Sequence, residues 1–175
     1  DFLYSLASGT AARLGKNGPY APVGARGLWV GWAGRNVIGT RLAFDDDLET
    51  GWSTEGPQRP TDFYLLDLGR TERFSRIELF LNRRPLTFPR SFTMSGSSDG
   101  ANWSLIGEYP NYFPVLHAEA IDQFEEYKVD LEFPPVSCRY LRINLTVAHP
   151  TESWTIQEIA LSLGTPVQGP QIPPP

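Results

Sequence analysis

Cysteine is almost absent from this chain. Cys138 is the only one, so no disulfide can form within it. A lone thiol is compatible with any compartment. Histidine is nearly as scarce: His117 and His149 are too few for a His-based zinc centre. No stretch approaches the roughly 20 apolar residues of a membrane-crossing helix. The first residues lack a charged segment followed by a long apolar one, so no signal peptide is read there. An excess of positive charge is also missing. Fifteen Lys and Arg stand against 20 Asp and Glu, a net charge of -5, which argues against a protein that tracks nucleic-acid phosphates.

What the chain does have is aromatic and apolar residues, 13% and 41% of its 175 residues, enough to exclude wholesale disorder. A chain of this length forms one domain and buries roughly 70% of its unfolded surface, so it needs no metal or disulfide merely to fold. Sixteen glycines and 16 prolines interrupt the sequence every few residues, and long helical periodicity is hard to find. Short strand-like runs are easy to find. Phe63 to Leu68 lies between Pro60 and Gly69. Ile77, Leu79 and Leu81 alternate with Glu78, Phe80 and Asn82. Leu141, Ile143 and Leu145 alternate with Arg142, Asn144 and Thr146, and Ile159, Leu161 and Leu163 with Glu158, Ala160 and Ser162. A period of two marks strands with one face on a core, and several such strands predict a β-sandwich or barrel.

Three segments stand apart. Residues 1–27 read as an N-terminal arm packing on the domain, with one short helix over 2–14. Residues 109–123 read as a long loop holding Tyr112, Phe113 and His117. Residues 165–175 read as a Pro-rich tail or linker. The arm and tail are expected to dock on the domain or on a neighbouring one.

The stretch Leu42-Ala43-Phe44-Asp45-Asp46-Asp47-Leu48-Glu49-Thr50-Gly51-Trp52 carries the most chemistry. Three consecutive acids repel one another unless water or a cation intervenes. Asp45, Asp47 and Thr50 are spaced so that a tight turn can aim all three at one ion, and calcium takes such oxygens. Spacing alone favours the simpler alternative, a solvated turn closed by Asx-type hydrogen bonds. Adjacent acids in one turn do not make a glycosidase pair, which needs carboxyls facing each other across a cleft.

Further motifs follow in order: Tyr64-Leu65-Leu66-Asp67-Leu68-Gly69, then Ser97-Ser98-Asp99-Gly100-Ala101-Asn102-Trp103, then Arg139-Tyr140-Leu141-Arg142-Ile143, then Trp154-Thr155-Ile156-Gln157-Glu158-Ile159. With the acidic stretch, this ordered set resembles the discoidin, or coagulation factor 5/8 type C, family. It is also similar to the related galactose-binding-like carbohydrate-binding modules of bacteria. The resemblance covers residues 28–164. It implies an all-β fold, an antiparallel jelly-roll sandwich with ligand loops at one end. It also implies a structural Ca2+ held by Asp45, Asp47, Thr50 and Glu158, with the Leu42 carbonyl as a fifth donor. Two departures stand out. Asp46 occupies a turn position where the family has a small residue, often glycine, and the terminal cysteines of animal members are missing.

Sugar recognition calls for an aromatic face and fixed donors for hydroxyls, a role the planar guanidinium suits. The resemblance puts such residues in Asn82, Arg83 and Arg84 of one loop, and in His149 and Trp154 around another. Gln58 and Arg59 lie in a further loop that borders the same end. Trp52 and Trp103 read as core and semi-core. The resulting expectation is a non-catalytic carbohydrate-binding module with a structural calcium, appended to a larger extracytoplasmic or membrane-anchored protein. Its place would be extracellular, periplasmic or on the cell surface, its partner a glycan. No nucleic acid and no direct membrane insertion are expected. The alternative is a docking domain of a cell-envelope protein that binds no sugar.

Overall fold

The computed structural model describes residues 13–15, 18–81, 85–110 and 128–164. Ten strands follow in order: β1 (Arg13–Gly15), β2 (Gly18–Pro22), β3 (Val30–Ala33), β4 (Trp52–Ser53), β5 (Phe63–Phe80), β6 (Phe92–Ser97), β7 (Ser104–Tyr109), β8 (Lys128–Leu145), β9 (Thr155–Ile156) and β10 (Glu158–Gly164). Every pairing is antiparallel. The helices among the described residues are short 3-10 turns at Arg26–Leu28, Ile38–Ala43 and Pro85–Thr87. The fold is an antiparallel jelly-roll β-sandwich.

The two long strands build both layers. The first part of β5, Phe63 to Asp67, pairs with β3 on one side and with the end of β8 on the other. That end of β8 pairs with β6, which pairs with β7. After a register shift between Asp67 and Glu72, β5 continues beside the beginning of β8 and takes β10 as its other neighbour. β10 in turn carries β2, and β2 carries β1. A short ladder of β4 and β9 pairs Trp52 with Ile156 and Ser53 with Thr155.

The core fills the space between the layers. Trp52, Trp154, Tyr64, Leu66, Leu68, Phe74 and Met94 are all buried. Burying each such side chain contributes about 1.5–3 kcal/mol. The period-two expectation holds for Leu141, Ile143 and Leu145, which are buried while Arg142 and Asn144 are half-exposed. It fails for the Ile77 run. Phe74 to Phe80 is buried on both faces, including Arg76 and Glu78. That part of β5 is central, flanked by β10 and β8, and its polar residues form ion pairs instead of meeting water.

The N-terminal arm enters the sandwich as strands. Arg13 and Leu14 lie in β1, where a helix over 2–14 was expected, and residues 1–12 lie outside the described residues. Residues 111–123 of the expected loop and the tail 165–175 also lie outside them. Tyr109 ends β7 and stacks on Phe92 with ring centroids 4.8 Å apart. The Asp-Gly turn joining β6 to β7 is built as the sequence suggests. Gly100 takes a left-handed φ of 77°. The Asp99 carboxylate accepts from the Asn102 and Ala101 amides at 2.8 and 2.9 Å and from the Asn102 side chain at 2.8 Å. These donors, Asn102 first, hold the Asp99 carboxyl well below the usual carboxylate range.

Candidate functional site

The acidic turn sits beside the last strand because β4 pairs with β9. Phe44, buried, anchors the turn by packing edge-on to Trp29 at 6.0 Å. Asp46 adopts a φ of 66°, a left-handed geometry that Asp tolerates better than most residues. Asp45 and Asp47 turn inward on their own loop. Asp45 accepts from the Thr50 hydroxyl at 2.9 Å and from the Asp47 amide at 3.2 Å, and Asp47 accepts from the Glu49 amide at 2.9 Å. These are Asx-type closures.

Glu158 is fully buried, and the acidic turn does reach it: the Asp46 amide donates to Glu158 Oε2 at 3.2 Å. Its other oxygen is taken by Arg26, whose guanidinium also donates to Asp46 at 2.9 Å and to the Ile159 carbonyl at 2.6 Å. Burial pushes the Glu158 carboxyl up, with the Arg26 guanidinium pulling the other way. Leu42 is a partly exposed side chain in the 3-10 turn before Phe44. Among the described residues no group of three or more His, Cys, Asp or Glu side chains converges to hold a metal ion. The donor set that the resemblance implies, Leu42, Asp45, Asp47, Thr50 and Glu158, is therefore divided. The turn is closed on itself, and Glu158 is held by an arginine.

The second grouping is a loop end knitted by Gln58. This side chain is 2% exposed and donates to the Thr87 carbonyl at 3.4 Å and the Ser153 carbonyl at 3.2 Å. Its own amide and carbonyl bond Glu152 and His149 of the loop before β9, at 3.0 and 3.1 Å. Arg35 clamps the buried Asp62 through both carboxylate oxygens, at 2.9 and 2.5 Å, and donates to the Pro57 carbonyl at 2.8 Å. Loops at 35, 54–62, 85–91 and 146–154 are thus one preformed surface. Gln58→Ala would leave the Thr87 and Ser153 carbonyls without this donor, a cost of about 1–3 kcal/mol. The expected result is a lower melting temperature with the sandwich signature in circular dichroism retained.

His149 belongs to this surface. Its Nδ1 accepts from the Glu152 and Thr151 amides at 3.0 and 3.3 Å, which leaves the hydrogen of a neutral ring on Nε2. Trp154 does not belong to it. It is 0% exposed, set edge-on to Trp52 with centroids 5.0 Å apart, and cannot offer a face to a sugar. Its assignment as a ligand residue is corrected: it is a core plug. Asn82, Arg83 and Arg84 lie outside the described residues. Trp52 is core and Trp103 half-buried, as the sequence suggests.

Three features escaped the sequence. Arg26 lies in a glycine-rich arm with nothing to mark it as a partner of the last strand. The Arg35–Asp62 clamp joins residues with no common motif. Trp32 is 53% exposed on the edge strand β3, beside exposed Val30. Only the buried position of Glu158, a carboxylate in need of a cation, would have pointed to the first. Cys138 is a buried free thiol, and burial pushes it up to about 11, so it stays protonated at neutral pH.

The family model of the F5/8 type C domain matches residues 30–159. The chain belongs to that family. No curated protein matches it. Among solved structures, it is similar to the family 32 carbohydrate-binding module of NanJ from Clostridium perfringens in complex with galactose. They share 14% identity at a TM-score of 0.58, over 81% of this chain and 98% of that one. A further family 32 module from the same organism, in complex with GalNAc-β-1,3-galactose, gives 15% identity and a TM-score of 0.56, over 78% and 96%. Chitosan-binding module 1 from a chitosanase/glucanase of Paenibacillus sp. IK-5 gives 18% and 0.57, over 77% and 94%. At these identities the likeness establishes the shared fold. In this F5/8 type C domain, β1 and β2 add to the sheet ahead of the region that the family model matches.

Proposed function

We propose that this F5/8 type C domain is a non-catalytic carbohydrate-binding module carried by a larger extracytoplasmic or membrane-anchored protein. The observation that carries the reading is the loop end fixed by Gln58 and by the Arg35–Asp62 clamp. Loops ordered before binding lose little entropy when a sugar docks, which suits weak, reversible recognition of hydroxyls. The similar structures solved with galactose and with GalNAc-β-1,3-galactose support a glycan as the ligand class. His149 Nε2 offers a donor there, and Arg83 and Arg84 immediately precede residues 85–91 in the sequence. A glycan array with the purified domain tests this. The expected result is a set of hits sharing one terminal sugar, with binding lost at least tenfold in Arg84→Ala and His149→Ala at unchanged fold. A blank array with folded protein overturns it.

A second reading is favoured by one observation. Leu28, Val30, Trp32, Val37 and Ile38 are all exposed within one run of chain around β3, Ile38 completely, with Val30 and Trp32 in the strand itself. Exposed apolar residues gathered in this way mark docking sites. In that reading the domain holds a neighbouring part of an envelope protein, and Trp32→Ser weakens assembly while glycan binding is nil.

A further inference from the structure

We infer that the guanidinium of Arg26 takes the place of the structural cation that the family resemblance implies, so that the acidic turn and the last strand are joined by a residue of the chain itself. Glu158 is 0% exposed at the first position of β10, apart from the loop end proposed to bind glycan. A carboxylate with no access to water requires a compensating positive charge and hydrogen bonds to both oxygens. It has them: Arg26 on Oε1 and the Asp46 amide on Oε2.

Calcium would require about six to eight oxygens aimed at one point. Here the oxygens are spent elsewhere. Asp45 and Asp47 accept from Thr50, Glu49 and their own turn. The Ile159 carbonyl, an atom of the kind a metal would take, accepts from Arg26 Nη2 at 2.6 Å instead. One planar group thus bridges Asp46, Glu158 and Ile159, which are the acidic turn and the start of β10. A divalent ion and a guanidinium compete for these partners, since both would take the same Glu158 oxygen and two cations a few Å apart beside a buried carboxylate repel.

The local sequence explains how Arg26 gets there. Gly24 has a φ of 97°, and a Cβ on it would lie 2.6 Å from the Trp29 ring. Only glycine lets the chain turn so closely around Trp29. The 3-10 turn Arg26–Leu28 follows, closed by Leu28 N to Ala25 O at 2.8 Å. The Arg26 guanidinium then lies over the Trp29 ring at 5.4 Å, a cation–π contact that holds it in line with Glu158. The guanidinium is a charge that the chain itself supplies, so this cation is independent of metal supply.

The test is a melting curve of the whole chain refolded from denaturant in EDTA, then with calcium added in millimolar excess. The wild-type chain is expected to melt at one temperature in both, with no heat on calorimetric titration of calcium. Arg26→Met is expected to melt roughly 5–15 °C lower in EDTA. The double variant Arg26→Met, Glu158→Gln should melt above Arg26→Met, because the stranded charge is gone. Should Arg26→Met fail to fold, Arg26→Lys keeps the charge and is expected to melt below wild type in EDTA and calcium alike. A wild-type chain stabilised by calcium overturns the inference. So does Arg26→Met that melts like wild type.

Discussion

Trp154→Ala is expected to unfold the domain at moderate temperature without directly touching a ligand. The indole is 0% exposed and packs edge-on to Trp52 at 5.0 Å and to Tyr64 at 6.5 Å. Removing a buried tryptophan leaves a cavity and costs about 3–5 kcal/mol. In a chain of this size each kcal/mol lowers Tm by about 2–4 °C, so a shift of roughly 6–20 °C should appear in a thermal scan. Trp154→Phe is the control. The indole Nε1 has no hydrogen-bond partner among the described residues, so phenylalanine forfeits volume but no bond. Its shift should be less than half as large. A Trp154→Ala chain that melts normally yet loses a glycan would restore the tryptophan to the binding surface.

Arg76→Met is expected to be about as damaging. Arg76 is 5% exposed on β5, with Nε donating to Asp130 at 2.5 Å and Nη2 to Glu78 at 3.5 Å. Glu78, 3% exposed, also accepts from Lys128 at 2.8 Å. Methionine fills most of the arginine's volume but leaves Lys128 as the cation that Glu78 and Asp130 share. Breaking a buried ion pair from one side costs about 3–5 kcal/mol. Adding Glu78→Gln to Arg76→Met should recover part of the loss, since it removes one of two neighbouring like charges. Added salt should recover little at Glu78, which is 3% exposed, and more at the half-exposed Asp130. A loss equal in Arg76→Met and in the double variant would mean that packing, not charge, sets the cost.

Sequence reading reached the fold through strands with one wet face. Leu141, Ile143 and Leu145 announce themselves because Arg142 and Asn144 separate them. The full length of β5 and β8 was not legible. Gly69 and the pair Pro134-Pro135 look like ends of strands, yet both strands run on for 18 residues. The structure absorbs the interruptions as register shifts, one between Asp67 and Glu72, one between Phe74 and Arg76 opposite the two prolines. β2 was hidden for a related reason. Pro19 and Pro22 argue against a strand in the arm, yet Pro19 pairs with Leu14 and Pro22, the last residue of β2, with Ser162.

The candidate site was legible in position and not in partnership. Asp46 with positive φ and the meeting of the acidic turn with Glu158 are where the resemblance puts them. Spacing cannot show which cation a buried carboxylate takes, because Arg26 lies far off in the chain. Nor can it tell an exposed tryptophan platform from a core plug. Trp154 and Trp32 carry the same side chain, and only packing separates 0% from 53% exposure.

The pairing of β2 with β10 has a consequence in time. Ala21 pairs with Leu163, so the second strand must wait for the tenth. A ribosome adds roughly 5–20 residues each second, which leaves β2 without β10 and Arg26 without Glu158 for many seconds of synthesis. Neither layer can close early, because β5 and β8 contribute to both. Folding of this domain is therefore a late event. It completes only once the final strand has emerged, and a nascent chain arrested before Glu158 should remain open to protease.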